Sequence, residues 1–208
     1  MLALPKGRLA GQVASLFSRA GYDLSNIENK GRRLWVDCDP FRVLTLRGAD
    51  VATYVAHGIA DVGIVGSDVL RERSPDLYEP LDLQLGVCRL AVAEAGDRPI
   101  DLGSQLHLRV ATKYPSLARA YYEGLGIPVE IITLAGAIEL APLLGLTDQI
   151  VDLVETGETL RQNGLVEVTT ILEVSARLVV NRAAFRLRGV EIGDLITRLD
   201  ATIDDPPA

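Results

Sequence analysis

Short apolar runs alternate with amphipathic segments along the chain, and this alternation predicts an α/β fold. LALP at 2–5 predicts a strand, and Leu9, Val13 and Leu16 follow it at helical spacing before Gly21, an expected C-terminal cap. Further strands are predicted at 33–39, 41–47, 60–66, 108–114, 129–135, 149–154 and 171–181. Further helices are predicted at 51–58 with Asp50 as N-cap, and at 67–73, 116–126, 137–145, 159–164 and 185–203.

The order of these elements predicts two lobes joined by two crossings. An apolar strand runs into the polar, Gly- and Pro-containing segment 96–101, a combination typical of a crossing, and the chain is expected to cross out near residue 89 and back near residue 177. A second α/β series follows, and the strand at 171–181 would return the chain. The predicted lobes are 1–88 with 177–208, and 89–176, with a central cleft between them.

Composition and charge exclude some classes of function. The 208 residues are 48% hydrophobic and carry a net charge of -7, which argues against a broad nucleic-acid or anionic membrane surface. Residues 1–50 nevertheless hold eight Lys or Arg against five Asp or Glu. No apolar run reaches the roughly 20 residues of a membrane span, and the start of the chain is too short for a signal-peptide core. We therefore expect a cytoplasmic protein.

The cysteines and histidines do not form a metal-binding pattern. Cys38 and Cys88 show no CxxC or Cys/His spacing, and the histidines are His57 and His107. We expect two buried thiols in a reducing compartment. His57 precedes Gly58 at a predicted helix end, where a surface histidine with satisfied hydrogen bonds is expected.

The segment IVDLVETGETL, residues 150–160, carries the strongest chemical pattern. Thr156, Gly157 and Thr159 stand between a predicted strand and a predicted helix. Unpaired N–H groups at a helix start, a glycine and threonine hydroxyls together suit the phosphate of a sugar phosphate. Asp152, at the strand end, suits the neighbouring sugar hydroxyls.

An ordinary helix N-cap is the alternative explanation of this TGxT turn. Glu155 and Glu158 would also repel an anion unless their side chains point to solvent. The segment is not a Walker loop, because no lysine follows the glycine at the required spacing.

Basic residues supply a second candidate anion site. Lys6, Gly7 and Arg8 lie where the first strand gives way to the first helix, at the carboxyl edge expected for a parallel sheet. Arg32, Arg33 and Arg47 flank the next two strands, and the guanidinium fork suits pyrophosphate oxygens. For any single one of them, a solvated surface charge is the alternative.

Four stretches resemble the ATP phosphoribosyltransferase family, whose members catalyse the first step of histidine biosynthesis. They are ALPKGRL, RGADVATYVAHGIADVGIVGSDVL, RVATKYP and ELAPLLGLTDQIVDLVETGETLRQNGL. The resemblance covers nearly the whole chain, and its last stretch is highly specific. The chain is similar to the short form of the family, which lacks a C-terminal histidine-sensing domain and works with a regulatory subunit related to histidyl-tRNA synthetase.

The resemblance implies a two-lobed, periplasmic-binding-protein-like (type II) fold and a transferase activity. In that reaction N1 of the ATP adenine attacks C1 of the ribose of phosphoribosyl pyrophosphate, and pyrophosphate leaves with Mg²⁺, which the substrate mainly holds. The resemblance also implies a homodimer within a hetero-oligomer.

The resemblance further implies a set of site residues. The phosphoribosyl loop comprises Asp152, Leu153, Val154, Glu155, Thr156, Gly157, Glu158 and Thr159, and Glu139 stands in register in the same motif. Arg8 and Arg32 are implied to stabilise the leaving group, although the match also permits Arg33 in place of Arg32. Arg47 and Asp68 are implied to contact the nucleotide, beside the anion site at Lys6 and Gly7.

Three other functions fit part of the pattern. Solute-binding proteins and effector-sensing domains share a two-lobed α/β architecture, and fold alone does not separate them from the transferase. The expected lack of a signal peptide argues against the first, and the lack of a helix-turn-helix segment argues against a repressor. A catalytically silent regulatory subunit would lack the loop residues, which are present here.

Overall fold

The computed structural model describes residues 1–27, 31, 33–101 and 107–204, which form two compact units. Unit 1 comprises Met1–Leu70, Ser74–Gly86 and the chain from Ser175, and unit 2 comprises Arg71–Arg73 and Val87–Val174. The predicted lobe boundaries at 88/89 and 176/177 lie two residues after the unit boundaries at 86/87 and 174/175. Within the described ranges, no helix is both long enough and apolar enough to span a bilayer.

Unit 1 contains a sheet of six strands among the described residues, in the order β2-β3-β1-β4-β11-β5. They are β1 (Leu2–Pro5), β2 (Trp35–Cys38), β3 (Phe41–Leu46), β4 (Val62–Gly66), β5 (Tyr78–Asp82) and β11 (Ala176–Val180). β1 pairs in parallel with β3 and β4, while β2, β11 and β5 join by antiparallel pairing. The carboxyl ends of β1, β3 and β4 therefore lie along one edge.

Helices cover both faces of this sheet. They are α1 (Arg8–Arg19), α2 (Gly48–Ala56), α3 (Ser67–Arg73), α7 (Arg182–Leu187) and α8 (Gly189–Asp204), and the last three residues of α3 belong to unit 2. α1 buries Val13, Leu16 and Phe17, an i, i+3, i+4 set, in a core cluster shared with α8. α2 packs Val51 and Val55 into a second cluster. Burial on both sides explains why the parallel strands are almost continuously apolar.

Unit 2 contains a five-stranded sheet in its described part, in the order β10-β6-β9-β7-β8. Its elements are β6 (Cys88–Ala95), β7 (Leu108–Thr112), α4 (Pro115–Gly124), β8 (Val129–Thr133), α5 (Leu140–Leu143), β9 (Gln149–Val154), α6 (Glu158–Gln162) and β10 (Leu165–Val174). β7 is parallel to β8 and β9, whereas β6 is antiparallel to β9 and β10. The carboxyl ends of β7 and β9 consequently share an edge.

The prediction of one helix over 185–203 is wrong. The chain forms α7 and α8, which are separated at Arg188, where φ is -129° and ψ is 34°. The side chain of Asn181 accepts hydrogen bonds from the N–H groups of Ala183 and Ala184, both at 3.0 Å. This cap starts α7 three residues before the predicted helix.

The predicted strand at 171–181 is also divided. β10 ends at Val174 in the sheet of unit 2, and β11 begins at Ala176 in the sheet of unit 1. An apolar run does not show which sheet a strand joins, so the pattern did not locate the break at Ser175. β5 was not predicted, because Pro80 weakens a strand pattern and is tolerated here on a sheet edge.

Two helix predictions need smaller corrections. The predicted helix at 137–145 is reduced to the four residues of α5. Asp50 is not the N-cap of α2. That position belongs to Arg47, whose carbonyl accepts from the Asp50 N–H at 2.9 Å, and Asp50 lies in the first turn.

Candidate active site

The loop between β9 and α6 presents exposed threonines around a glycine. Gly157 is the N-cap of α6 with φ 76° and ψ 0°, the left-handed region that residues with side chains rarely adopt. Thr156 Oγ1 accepts a hydrogen bond from the N–H of Glu158 at 3.3 Å, which closes the turn. Thr156 and Thr159 are both exposed, so their hydroxyls are accessible to a ligand.

α6 is shorter than the sequence predicts. It spans five residues, so few peptide dipoles sum at its N-terminus, and an anion bound here would depend mainly on loop N–H groups and hydroxyls. The Glu158 carboxylate accepts from Arg161 at 2.6 and 3.0 Å and from Gln162 at 2.7 Å. These hydrogen bonds lower the pKa of Glu158 and direct its charge along α6. Its repulsion of an anion at the loop is thereby reduced.

Lys113 lies next to this loop, although the sequence analysis gave it no role. It follows β7, which pairs with β9. Its Nζ is 3.0 Å from Asp152 Oδ1, and the same oxygen accepts from the Leu153 N–H at 2.8 Å. The Asp152 side chain is only 16% exposed, and the Lys113 ammonium group offsets the cost of burying its negative charge. The sequence placed Lys113 inside the predicted strand at 108–114, whereas β7 ends at Thr112, and the signal available was a lysine near the carboxyl end of that predicted strand.

The segment after β1 also holds an unusual glycine. Gly7 is the N-cap of α1 with φ 92° and ψ -155°, a conformation essentially restricted to glycine. The first turn of α1 contains no acidic residue. A cavity of about 540 Å³ adjoins this turn and is lined by Lys6, Gly7, Ala10, Ile27, Gly31, Arg33, Leu34 and Thr45.

Other predicted residues stand along the same edge of unit 1. Arg8 is the first residue of α1 and Arg47 follows β3, and both are exposed. Asp68 lies in the first turn of α3, after β4, and is 6% exposed. A Cβ added to Gly66 would lie 2.1 Å from Asp68 Oδ1, so the carboxylate occupies space that only glycine leaves. The parallel pairing brings these residues, with Lys6, to one edge.

Two predicted site residues are not placed with the others. Arg32 lies outside the described residues, whereas Arg33 lines the cavity beside Lys6. Glu139 is the half-buried N-cap of α5. In the described part of the chain, no hydrogen bond joins Glu139 to the loop at 155–159.

His57 is the C-cap of α2, Cys38 lies in β2 and Cys88 lies in β6. His57 Nδ1 lies 2.9 Å from the Thr53 carbonyl at the end of α2, as expected for a satisfied surface histidine. Cys38 is buried, but Cys88 is only half-buried, so that part of the prediction is wrong. Across the described ranges, no group of three or more His, Cys, Asp or Glu side chains is arranged to hold a metal ion.

A cavity of about 570 Å³ lies at the opposite edge of the unit 1 sheet, near Tyr22 and the start of β4. Both arginines of its lining are paired with aspartates: Arg188 contacts Asp61 at 3.2 Å, and Arg198 contacts Asp194 at 2.8 Å. We therefore place the candidate chemistry at the carboxyl edges rather than here.

Sequence comparison gives a consistent family match. A model of the ATP phosphoribosyltransferase (HisG) family matches residues 47–201. An ATP phosphoribosyltransferase of Acidithiobacillus ferrooxidans is 49% identical over 207 residues, covering 97% of this chain and 96% of its relative. "ATP phosphoribosyltransferase 2" of Geobacter sulfurreducens is 47% identical over 203 residues, covering 96% of each.

Solved structures extend the comparison to the fold. The ATP phosphoribosyl transferase (HisG:HisZ) complex from Thermotoga maritima contains a chain that matches with a TM-score of 0.84 and 32% identity, over 99% of this chain and 98% of that one. The periplasmic aliphatic sulphonate binding protein SsuA of Escherichia coli matches with a TM-score of 0.59 at 13% identity, over 97% of this chain and 71% of that one. The predicted periplasmic-binding-protein-like fold is confirmed by these likenesses.

Proposed function

The chain belongs to the ATP phosphoribosyltransferase family, which catalyses the first step of histidine biosynthesis, and we propose that it transfers the 5-phosphoribosyl group through the loop at 152–159. The observation that carries the assignment of this loop is the left-handed Gly157 between exposed threonines, beside the Lys113–Asp152 pair. The reaction joins C1 of the ribose to N1 of ATP and releases pyrophosphate.

The proposed roles in unit 2 follow from its donors and acceptors. The hydroxyls of Thr156 and Thr159 and the loop N–H groups bind the 5-phosphate, because a glycine at 157 keeps the backbone open to a close approach. Asp152 Oδ1 is used by Lys113 and the Leu153 N–H. We assign Oδ2 to the ribose hydroxyls, for which a carboxylate oxygen is a strong acceptor.

The proposed roles in unit 1 follow from its charge. Lys6, Arg8 and Arg47 bring cations to the carboxyl edge, where they would neutralise phosphate oxygens. We assign Lys6 and Arg8 to the leaving pyrophosphate, and Arg47 with Asp68 to the nucleotide. Arg32 remains a proposed leaving-group residue on the family resemblance alone, since it lies outside the described residues.

The chemistry needs no protein nucleophile. As pyrophosphate leaves, positive charge develops on the ribose and negative charge on the departing oxygens, so placed cations lower the barrier. We propose that Mg²⁺ enters as part of the phosphoribosyl pyrophosphate complex, because this ion prefers phosphate oxygens and water as ligands. The arginine side chains would contact the departing pyrophosphate, and a bound Mg²⁺ would neutralise part of its charge.

The Thermotoga maritima relative was solved as a HisG:HisZ complex. We propose that this chain likewise forms a homodimer within a hetero-oligomer, with a regulatory subunit related to histidyl-tRNA synthetase, in the cytoplasm. Histidine then inhibits through that partner. Calorimetry that detected tight histidine binding to this chain alone would contradict the last step.

The activity is tested by mass spectrometry of the product. The purified chain is mixed with ATP, phosphoribosyl pyrophosphate, Mg²⁺ and pyrophosphatase, which removes the product pyrophosphate. We expect N1-(5-phosphoribosyl)-ATP, and we expect Thr156→Ala and Thr159→Ala to raise the KM for phosphoribosyl pyrophosphate more than the KM for ATP. An equal rise in both KM values would contradict the assignment of this loop to phosphate binding.

A further inference from the structure

Arg89 connects the loop at 152–159 to the edge strand of the unit 2 sheet. It lies in β6, which pairs with β9 on one side and β10 on the other. Its Nη1 donates to the Glu155 carbonyl at 3.1 Å. Its Nε and Nη2 donate to the two carboxylate oxygens of Glu167 in β10, at 2.7 and 2.6 Å.

We propose that Arg89, oriented by Glu167, is a positioning residue that fixes the start of the phosphoribosyl loop. This inference rests on the proposed function of that loop. Three of the five N–H groups of the guanidinium donate to protein acceptors, and we assign Arg89 an action through the Glu155 backbone rather than a contact with substrate. The planar guanidinium directs all three bonds in fixed directions, which a lysine does not reproduce.

The surroundings keep the Arg89–Glu167 pair charged and in place. The two side chains are 30% and 26% exposed, so water screens them only partly. Hydrogen bonding from Arg89 lowers the pKa of Glu167, and Thr170 Oγ1 adds a donor at 3.3 Å. Glu167 is therefore ionised at neutral pH and holds the guanidinium in one orientation.

The hydrogen bond from Arg89 holds the backbone where the loop leaves β9. Glu155 is the first residue of this loop beyond β9, and the Arg89 backbone is paired with Val154, the last residue of the strand. The side-chain bond to the Glu155 carbonyl extends this pairing one residue beyond the strand. Loss of Arg89 would remove this hydrogen bond two residues before the left-handed Gly157.

The chain offers a matched control on the other side of β9 in the same sheet. Arg109 in β7 donates to both carboxylate oxygens of Asp148, at 2.9 and 3.3 Å, and to the Gly145 carbonyl at 3.2 Å. Its exposure is similar, at 38% for Arg109 and 22% for Asp148. Arg109→Met therefore removes an equivalent set of bonds without touching the loop at 152–159.

The test compares Arg89→Met, Arg89→Lys and Glu167→Gln with Arg109→Met in the full chain. We expect Arg89→Met to raise the KM for phosphoribosyl pyrophosphate at least tenfold and the KM for ATP less than twofold. Glu167→Gln keeps one acceptor and should raise the KM for phosphoribosyl pyrophosphate about threefold. Arg89→Lys should reverse less than half of the increase in KM seen in Arg89→Met, since lysine cannot make the three bonds together. Arg109→Met should change neither constant by more than twofold.

Hydrogen exchange of the peptide covering 150–160 gives a second readout that does not require turnover. We expect at least tenfold faster exchange in Arg89→Met and unchanged exchange in Arg109→Met. Equal kinetic effects of the two methionine variants, or an unchanged loop in Arg89→Met, would overturn the proposal. A wild-type chain that forms no product while Arg89→Met still loosens the loop would instead reject the proposed function and retain the positioning role.

Discussion

Replacement of Gly157 by alanine tests the proposed phosphate loop most directly. The added Cβ would have Val154 Cγ1 as its nearest neighbour at 3.9 Å, which is ordinary van der Waals contact. The change therefore introduces no clash, and its cost arises from the backbone. At φ 76° an alanine is disfavoured by about 1–2 kcal/mol.

The same energy predicts both the stability and the kinetic result. A loss of about 1–2 kcal/mol leaves a protein of ordinary stability, about 5–15 kcal/mol, folded, and lowers Tm by about 2–8 °C. If the strained loop relaxes locally instead, the conformation that binds phosphate falls in population by a factor of about 5–30. Because apparent affinity scales with that population, we expect the KM for phosphoribosyl pyrophosphate to rise about 5–30-fold.

Gly164→Ala is the matched control. Gly164 has φ 69° and nothing within 4 Å of an added Cβ, so it carries similar backbone strain at the other end of α6. The assay is steady-state kinetics with each substrate varied in turn, together with thermal unfolding. We expect both variants to stay folded with Tm lowered by at most about 8 °C, and a raised KM for phosphoribosyl pyrophosphate only in Gly157→Ala. A KM that is unchanged in Gly157→Ala, or equally raised in Gly164→Ala, would refute the role of this conformation.

Three further predictions follow from single contacts. Lys113→Met should raise the KM for phosphoribosyl pyrophosphate about tenfold in steady-state kinetics, because it leaves the Asp152 carboxylate without its ion partner; an unchanged KM would exclude Lys113 from the site. Asn181→Ala should destabilise the chain by about 1–2 kcal/mol in urea unfolding, because the α7 cap is lost, with both KM values unchanged. Burial alone would raise the pKa of Asp148, but hydrogen bonds from Arg109 outweigh it and the pKa is lowered. Because this pKa is lowered, the ionised Asp148 stabilises the fold at pH values above its unfolded pKa of about 3.9, and acidification removes that stabilisation. The difference in the free energy of unfolding between wild type and Arg109→Met should therefore shrink below about pH 4.

Local patterns predicted several elements well. β9 was expected at 149–154 and α3 at 67–73, and both have these bounds. In each case an apolar strand or a short amphipathic turn is bounded by glycine or a polar cap, and such signals act over a few residues. The division of 185–203 at Arg188 was missed, because the apolar periodicity continues across the break.

The sequence by itself determined which residues form the loop after β9, since the glycine and threonines are contiguous and their spacing is readable. Only the tertiary structure decided what surrounds that loop. Lys113 meets Asp152 because β7 and β9 are parallel neighbours, and Arg89 meets Glu167, 78 positions away, because β6 lies between β9 and β10. Strand order depends on packing between distant segments, and the period of a single strand carries no information about its neighbours.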